Sequence, residues 1–277
     1  MACTKDYFTS GEQILSTELF AIDDFDKGNS LYEVVKILEG KPLFMDAHLS
    51  RLKRSAYLFQ KEIPFSDKKT AELVEKLIAR NGVNNGRLKF LFSYFGESVK
   101  FFSFFLKDIT PPRESYKKGV KTAFYRAKRE NPNIKKINSE LRRKVRDFVS
   151  EKKVFEALLV SPNNIITEGS KSNFFGIKDN IVYTSPTKNI LPGITRNYIF
   201  DICSRNNIPI VQKDILLSDI QSFQSAFISG TSIGVLPLST IESNKFSTEN
   251  KILRKIAGAY QNEIQKYLKH RIAEQQQ

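Results

Sequence analysis

Apolar positions along this chain recur with two periods, about 2 and about 3.6 residues, and each change of period marks a predicted element. "LYEVVKI" (31–37) and "PLFM" (42–45) flank the turn "LEGK" and predict a hairpin. In "DAHLSRLKRSAYLF" (46–59), Leu49, Leu52, Ala56 and Phe59 fall on one face of a helix, with Asp46 as N-cap. "SDKKTAELVEKLIARNG" predicts a second helix, capped by Ser66 and closed near Gly82. "RLKFLFSYF" (87–95) and "VKFFSFFLKDI" (99–109) are apolar strands around Gly96, a second hairpin.

The stretch "DITPPRESYKKG" (108–119) is polar, holds two prolines and follows neither period, so it reads as a linker. Beyond it come a strand near "VKTAFYRA" and a helix starting near Ile137. Four short strands follow, "FEALLV", "NIITEG", "SNFFGI" and "IVYTS", broken by "SPNN" and "KDN" turns. A helix opens after "LPGI" and runs to about Asn206, then come "IPIVQKDI" and a short helix at Ser218. The strands "SAFISG" and "VLPLSTI" precede a final helix from Thr248 to about Ile272, with "EQQQ" as a frayed tail. The pattern predicts an α+β protein in two domains: a small N-terminal α/β domain (1–108), a linker (109–118) and a larger C-terminal domain (119–277).

Composition narrows the chemistry. The chain has 277 residues, enough for a sizeable core, and 40% of them are hydrophobic. No run approaches the roughly 20 apolar residues of a membrane helix. The start "MACTKDYFTSGEQ" has no apolar segment after a basic one, so neither a span nor a signal peptide is predicted. Cys3 and Cys203 cannot form a disulfide framework or a zinc site, and a reducing cytoplasm is the expected location. His48 and His270 are the two histidines, which argues against histidine-based metal chemistry. The net charge of +14 raises nucleic-acid binding. Its densest run, "LRRKVR" (141–146), has helical spacing, with Leu141, Val145 and Phe148 on the apolar face and the charges on the solvated one. No zinc-finger or RNA-recognition spacing accompanies it, so no nucleic-acid partner is expected, and attraction of small anions accounts for the charge as well.

Three stretches suit a small anionic ligand. In "LPGITR" (191–196), Pro192 and Gly193 turn the chain, and Ile194-Thr195 open a helix whose free N–H groups favour a phosphate. "SGTSIG" (229–234) places Thr231 and Ser232 in a glycine-flanked turn after an apolar strand, a geometry that can cradle an anion. "ITEGSKSNFF" (166–175) ends a strand on Glu168 before a loop of small residues. Taken singly, each reads as an ordinary cap, turn or strand end. Together with a lysine they match the needs of pyridoxal 5′-phosphate: an amine for its aldehyde, an acid for its pyridine nitrogen, and fixed donors for its phosphate. "NIKKIN" (133–138) offers two lysines, Lys135 and Lys136, and periodicity does not choose between them. Arg51, in "HLSRLKRSA", could add a guanidinium for the phosphate.

From Leu31 to Leu238 the chain resembles the class IV aminotransferases, pyridoxal-phosphate enzymes of the D-amino-acid transaminase fold (fold type IV). The resemblance lies in "LYEVVKILEGKPLF", "HLSRLKRSA", "IKKIN", "EALLVSPNNIITEGSKSNFF", "IVYTSP", "ILPGITR" and "SGTSIGVLPL", in that order. It implies that Lys135 forms the Schiff base, with Lys136 a bystander. It further implies that Arg51, Ile194, Thr195, Thr231 and Ser232 bind the phosphate, and that Glu168 faces the pyridine nitrogen. A homodimer is implied as well, with the cofactor between a small and a larger domain.

The substrate-facing parts depart from common members of this family. Gly28-Asn29-Ser30-Leu31-Tyr32-Glu33 stands where relatives show a "GDGVFE"-like entry, which assigns Tyr32 to the substrate. Tyr94-Phe95-Gly96 replaces the arginine-glycine step of D-amino-acid transaminases, and Lys89 is the candidate cation for a substrate carboxylate. Lys171 stands where relatives mostly carry small or uncharged residues; turned inward it would bind a second acidic group, turned outward it is surface charge. The implied activity is amino transfer between an amino acid and a 2-keto acid. The alternatives are 4-amino-4-deoxychorismate lyase, which releases pyruvate and 4-aminobenzoate, and a non-catalytic binding protein on the same scaffold.

Overall fold

The computed structural model describes residues 3–20, 29–127 and 129–274. Gly28 of the expected entry and the glutamines of the expected frayed tail, 275–277, lie outside them. The chain divides into two compact units. The first comprises Met1–Ile109, Ile134–Ser139 and Ile264–Gln277; the second comprises Thr110–Asn133 and Glu140–Glu263. Two segments that the sequence pattern assigned to the C-terminal domain, 134–139 and 264–277, therefore belong to the first unit.

The first unit begins with a hairpin that apolar patterning did not reveal, β1 (Tyr7–Ser10) and β2 (Gln13–Ser16). Then come β3 (Ser30–Leu38), β4 (Lys41–Pro42), α1 (Met45–Leu58), α2 (Asp67–Arg80), β5 (Gly86–Phe95) and β6 (Ser98–Leu106). The strands form a six-stranded antiparallel sheet in the order β2-β1-β6-β5-β3-β4. Alternation divides β5 between two faces. Leu88, Phe90, Phe92 and Tyr94 join the core formed with Leu49 and Leu52 of α1 and Leu73, Val74 and Leu77 of α2. Leu91 lies in a second cluster with Phe8, Phe102, Phe104 and Leu106.

Local geometry moves several expected boundaries. Phe44, in a left-handed conformation with φ 55°, is the N-cap of α1, and Asp46 sits inside the first turn, where its charge suits the positive dipole end. β4 ends at Pro42, two residues before Phe44, although the Leu43 N–H still donates across to the Lys36 carbonyl of β3. Ser66 caps α2 as expected, its hydroxyl accepting from the Lys69 N–H. The helix expected near Ile137 starts at Ser139; the residues before it are paired with β3, where the Ile137 N–H donates to the Ser30 carbonyl.

The second unit runs α3 (Arg113–Lys118), β7 (Val120–Arg126), α4 (Ser139–Lys152), β8 (Glu156–Val160), β9 (Ile165–Gly169), β10 (Asn173–Lys178) and β11 (Ile181–Thr184). It continues with α5 (Ile194–Arg205), β12 (Ile210–Gln212), β13 (Ile215–Leu216), β14 (Ser225–Gly230), β15 (Gly234–Ile241), β16 (Asn244–Lys245) and α6 (Lys251–Glu274), the last extending into residues of the first unit. Its ten-stranded sheet has the order β12-β11-β10-β14-β15-β7-β8-β9-β13, with β16 paired to β15. The pairs β11–β12, β7–β15 and β7–β8 are parallel. Leu158, Phe174, Ile228 and Leu236 form the centre of its core. α6 starts three residues later than the pattern suggests because Asn250 Oδ1 accepts from the Ile252 and Leu253 N–H groups and caps it. No helix among the described residues is long and apolar enough to cross a membrane.

The stretch 109–118, expected as a linker, holds α3 and is pinned within the second unit. Tyr116 donates its hydroxyl to the Ile233 carbonyl at 2.9 Å, and Arg254 donates to the Tyr116 carbonyl at 2.7 Å. Gly119, at φ +74°, makes the turn from α3 into β7, and a Cβ there would stand 2.7 Å from the Ser239 nitrogen. Gly119→Ala is therefore expected to cost about 1–3 kcal/mol, from backbone strain and collision together. Urea denaturation of the two proteins measures this, and a difference below about 0.5 kcal/mol would contradict it.

Candidate active-site residues

In the first unit the segment 134–138 lies extended along β3. The Tyr32 N–H donates to the Lys135 carbonyl at 3.1 Å, and the Ile137 N–H donates to Ser30 at 3.0 Å. The Lys135 N–H donates in turn to Ser55 Oγ of α1 at 3.2 Å. The Lys135 peptide is thus held from both sides. Successive side chains of an extended segment point opposite ways, and the two lysines separate accordingly. Lys135 Nζ lies 4.9 Å from the centre of the Tyr32 ring, whereas Lys136 Nζ lies 4.7 Å from that of Phe59. Lys89 Nζ also approaches Tyr32, at 5.0 Å from the ring centre. Tyr32, Lys89 and Lys135 are thereby grouped around one ring, a relation that spans 103 residues of sequence and that no local motif shows.

Tyr32's neighbour Glu33 points to the opposite face, toward α1, and is wholly buried. Arg51 grips it in a bidentate pair, Nε to Oε1 at 2.8 Å and Nη2 to Oε2 at 2.6 Å. His48 Nδ1 stands 2.7 Å from the same Oε2. Burial alone would raise the Glu33 pKa, but the charge and hydrogen bonds of Arg51, with those of His48, hold it well below the usual carboxylate range. Burial lowers the His48 pKa, the charges of Arg51 and Lys135 act the same way, and Glu33 opposes them. In its neutral form the ring carries its proton on Nδ1, against the carboxylate, and its Nε2 is buried without a hydrogen-bond partner. Arg51 is therefore an oriented, largely buried guanidinium and not one of several exposed helix arginines.

In the second unit the three anion-suited stretches converge. Glu168, buried at the end of β9, accepts from Arg129 Nη1 on Oε1 at 2.7 Å and from the Leu191 N–H on Oε2 at 3.1 Å. Leu191 opens "LPGITR", and its carbonyl accepts from Asn173 Nδ2 at 2.9 Å. Asn173 lies opposite Ser229 in the β10–β14 register, which brings "SGTSIG" to the same place. Gly193 is the N-cap of α5 and no side chain covers the first N–H groups of that helix. A Cβ at Gly193 would collide with Asn173 Oδ1, so the approach requires glycine. Thr195 is buried, with its hydroxyl 2.9 Å from the Tyr260 hydroxyl. Thr231 and Ser232 are half-buried in the turn after β14, and the Ser229 hydroxyl is buried without a partner. A buried acid bonded to the segment that leads into an uncapped helix N-terminus, with an orphaned hydroxyl nearby, fits a phosphate-bearing heterocycle.

Other charges here have structural work. Arg196 is buried and donates to Thr187, Ser185 and Gln212, tying the segment before α5 to β12; burial lowers its pKa to about 10, with Glu168 opposing. Glu156, buried on β8, accepts from the Lys171 N–H and from the Ser170 and Ser172 hydroxyls, so it shapes the loop after Glu168. Burial raises its pKa against those bonds. The Lys171 side chain is exposed. Among the described residues no group of three or more His, Cys, Asp or Glu is placed to hold a metal ion.

A family model described as amino-transferase class IV matches residues 30–241. A D-alanine aminotransferase from Listeria monocytogenes is 39% identical over 61 residues, which is 22% of this chain and 21% of that protein. The chain thus matches about a fifth of the length of that curated relative. Among solved structures, the branched-chain amino acid aminotransferase of Escherichia coli superposes with a TM-score of 0.84 at 18% identity, over 94% of this chain and 95% of that one. A putative 4-amino-4-deoxychorismate lyase from Legionella pneumophila reaches 0.74 at 22% identity, over 86% and 92%.

The buried Glu33 pair gives a prediction with a defined pH dependence. Glu33→Gln leaves Arg51 with a broken pair and should lower stability at pH 7 by about 3–5 kcal/mol. The unfolded Glu33 carboxyl takes up its proton near pH 4.3 or so, the folded one only at lower pH, so the wild type loses this contribution as pH falls through that window. The variant has no such group to titrate, and the difference should narrow between pH 7 and pH 3. Urea titrations at both values test this; a constant or widening difference would refute the assignment.

Proposed function

This chain belongs to the class IV aminotransferase family, and on that premise we propose that it moves an amino group between an amino acid and a 2-keto acid with pyridoxal 5′-phosphate as cofactor. The observation that carries this reading is the bond from the Leu191 N–H to Glu168, which fixes an acid and an uncapped helix N-terminus relative to each other within one unit. A pyridine nitrogen and a phosphate are the two ends of one cofactor, and those are the two groups such a pair holds.

Pyridoxal phosphate, when bound, supplies the aldehyde that takes the amino group and the ring that draws electrons from the carbon losing its proton. Glu168, oriented by Arg129 and Leu191, pairs with the ring nitrogen. The first N–H groups of α5, at Ile194 and Thr195, take the phosphate at the positive end of the helix, with the Thr231 and Ser232 hydroxyls and Arg51 as further donors. Lys135 would supply the amine that holds the cofactor covalently, and the same amine would serve as the base for the proton on the substrate's α-carbon. Its amine is half-buried against Tyr32, and its peptide is clamped by Tyr32 and Ser55, which fixes the backbone from which the amine extends. Tyr32 and Lys89 face the substrate, and the family's working form is a homodimer.

Similarity to a putative lyase over 92% of that protein's length makes 4-amino-4-deoxychorismate lyase the second reading. The two differ in one requirement: amino transfer needs a keto acid acceptor to turn over, and the lyase releases pyruvate without one.

Protein purified with pyridoxal phosphate should show the visible absorption of a lysine-bound cofactor, and one amino acid, L or D, should bleach it with no acceptor present. Lys135→Ala should lose both the band and the activity, while Lys136→Ala retains them. Full activity in Lys135→Ala with loss in Lys136→Ala would overturn the choice of nucleophile.

A further inference from the structure

Thr195 and Tyr260 bring two buried hydroxyls together in the second unit. Thr195 stands on the first turn of α5 and Tyr260 on α6, and their exposures are only 1 and 0%. The two oxygens lie 2.9 Å apart across 65 residues of sequence. Burying a phenol is costly unless its hydroxyl is bonded, and phenylalanine would fill the same space without that cost. A tyrosine here therefore calls for a reason beyond packing.

Tyr260 meets two of the three anion-suited stretches. Its hydroxyl reaches "LPGITR" at Thr195, and its ring packs against the end of "SGTSIG", where a Cβ at Gly234 would stand 3.6 Å from Tyr260 Cε1. The same turn is held by Tyr116 of α3, which donates its hydroxyl to the Ile233 carbonyl. On α5, Tyr198 lies one turn beyond Thr195 and meets the Tyr260 ring edge-on, with centres 6.2 Å apart. The ring is thus fixed from the helix and from the turn, which leaves its hydroxyl little freedom. Burial pushes the Tyr260 pKa up, against the effect of the Thr195 bond, so the phenol keeps its proton.

A threonine hydroxyl has one proton to give and two lone pairs to receive with. If Thr195 gives that proton to Tyr260, none is left for a ligand; if Tyr260 donates instead, the threonine's proton stays available at the N-terminus of α5. We propose that Tyr260 is a positioning residue of the phosphate site: it donates its hydroxyl proton to Thr195 Oγ1, which directs the threonine's own proton to the phosphate. The inference rests on the reading of Ile194 and Thr195 as the phosphate end of the cofactor site. Tyr260 acts through Thr195, and because hydrogen bonds in a chain polarise one another, it also makes the threonine a stronger donor.

The full-length protein, stripped of cofactor and titrated with pyridoxal phosphate and with pyridoxal, separates binding of the phosphate from binding of the ring. The visible band reports both aldehydes, and the wild type should prefer the phosphorylated one. Tyr260→Phe keeps the ring and should weaken pyridoxal phosphate about three- to tenfold, the range of one hydrogen bond, with pyridoxal unchanged. In a Thr195→Val background the same substitution should make no further difference, because the relay has lost its middle member. Tighter binding of pyridoxal phosphate by Tyr260→Phe would mean that Thr195 donates to Tyr260, and would overturn the proposal. An equal loss for the two aldehydes, the mark of a merely structural tyrosine, or an effect that persists in Thr195→Val would do the same. A strong wild-type preference that Tyr260→Phe leaves intact would sink the role of Tyr260 and leave the phosphate site standing. A wild type that binds the two aldehydes equally would sink the phosphate site, and the proposal with it.

Discussion

A carboxylate with no exposed surface must be paired, and in the first unit that requirement falls on Glu33. Its bidentate pair with Arg51 and its bond to His48 fasten β3 to α1 at one point on the strand. Ser55 lies one helical turn beyond Arg51, on the same face of α1, and is the group that takes the Lys135 N–H. The other side of the Lys135 peptide is held by Tyr32, the residue preceding Glu33. One buried ion pair thus sets the strand and the helix that together position the lysine. The segment carrying Lys135 is thereby paired along β3 as far as Ile137, and the helix that follows begins at Ser139.

The second unit solves a similar problem with neutral groups. Asn173 holds the backbone of "LPGITR" by its side-chain amide, and its Oδ1 occupies the space a side chain at Gly193 would need. Leu191 can then present its N–H to Glu168, and the helix that follows starts with its own N–H groups uncovered. Arg196, on the first turn of that helix, ties down the segment before it through Ser185 and Thr187. Rigid backbone around an uncapped helix end is what an anion site needs, because free N–H groups are useful to a ligand only when they cannot rearrange to satisfy themselves.

Strong periodic stretches were legible in the sequence. α2 with its Ser66 cap, the β5–β6 hairpin and the strands from "FEALLV" to "IVYTS" lie close to where apolar spacing put them. Failures occurred where a distant partner decides the local structure. Asp46 is a good capping residue on propensity, yet the left-handed Phe44 opens the helix two positions earlier. The polar, proline-bearing run 109–118 has linker composition, but Ile233 and Arg254, more than a hundred residues on, hold it in place. At the candidate site, the convergence of "TEGSKSN", "LPGITR" and "SGTSIG" is written in no local pattern, since it depends on the β10–β14 register. Arg129 was missed for the same reason: in "AKRENPN" it is one basic residue among several until the fold sets Glu168 against it. Lys135 and Lys136 are indistinguishable by propensity, and their separation comes from which aromatic each side chain meets.

The basic character of the chain takes on a different meaning once its charges are located. The run at 141–146 is an exposed helix face of the ordinary kind: Val145 is buried, Arg143, Lys144 and Arg146 are exposed, and Lys144 pairs with Glu140 one turn back. Charges of that sort are screened by salt and contribute little to stability. Lys36, Arg87 and Lys89 contribute to the same net charge yet are almost inaccessible, so they cannot form an electrostatic footprint for a polyanion such as nucleic acid. A buried cation interacts strongly with whatever small anion can reach it, because there is little water to screen the attraction. The excess of positive charge therefore divides into a solvated part on exposed helix faces and a buried part on the sheet of the first unit, whose Lys89 shares the Tyr32 ring with Lys135.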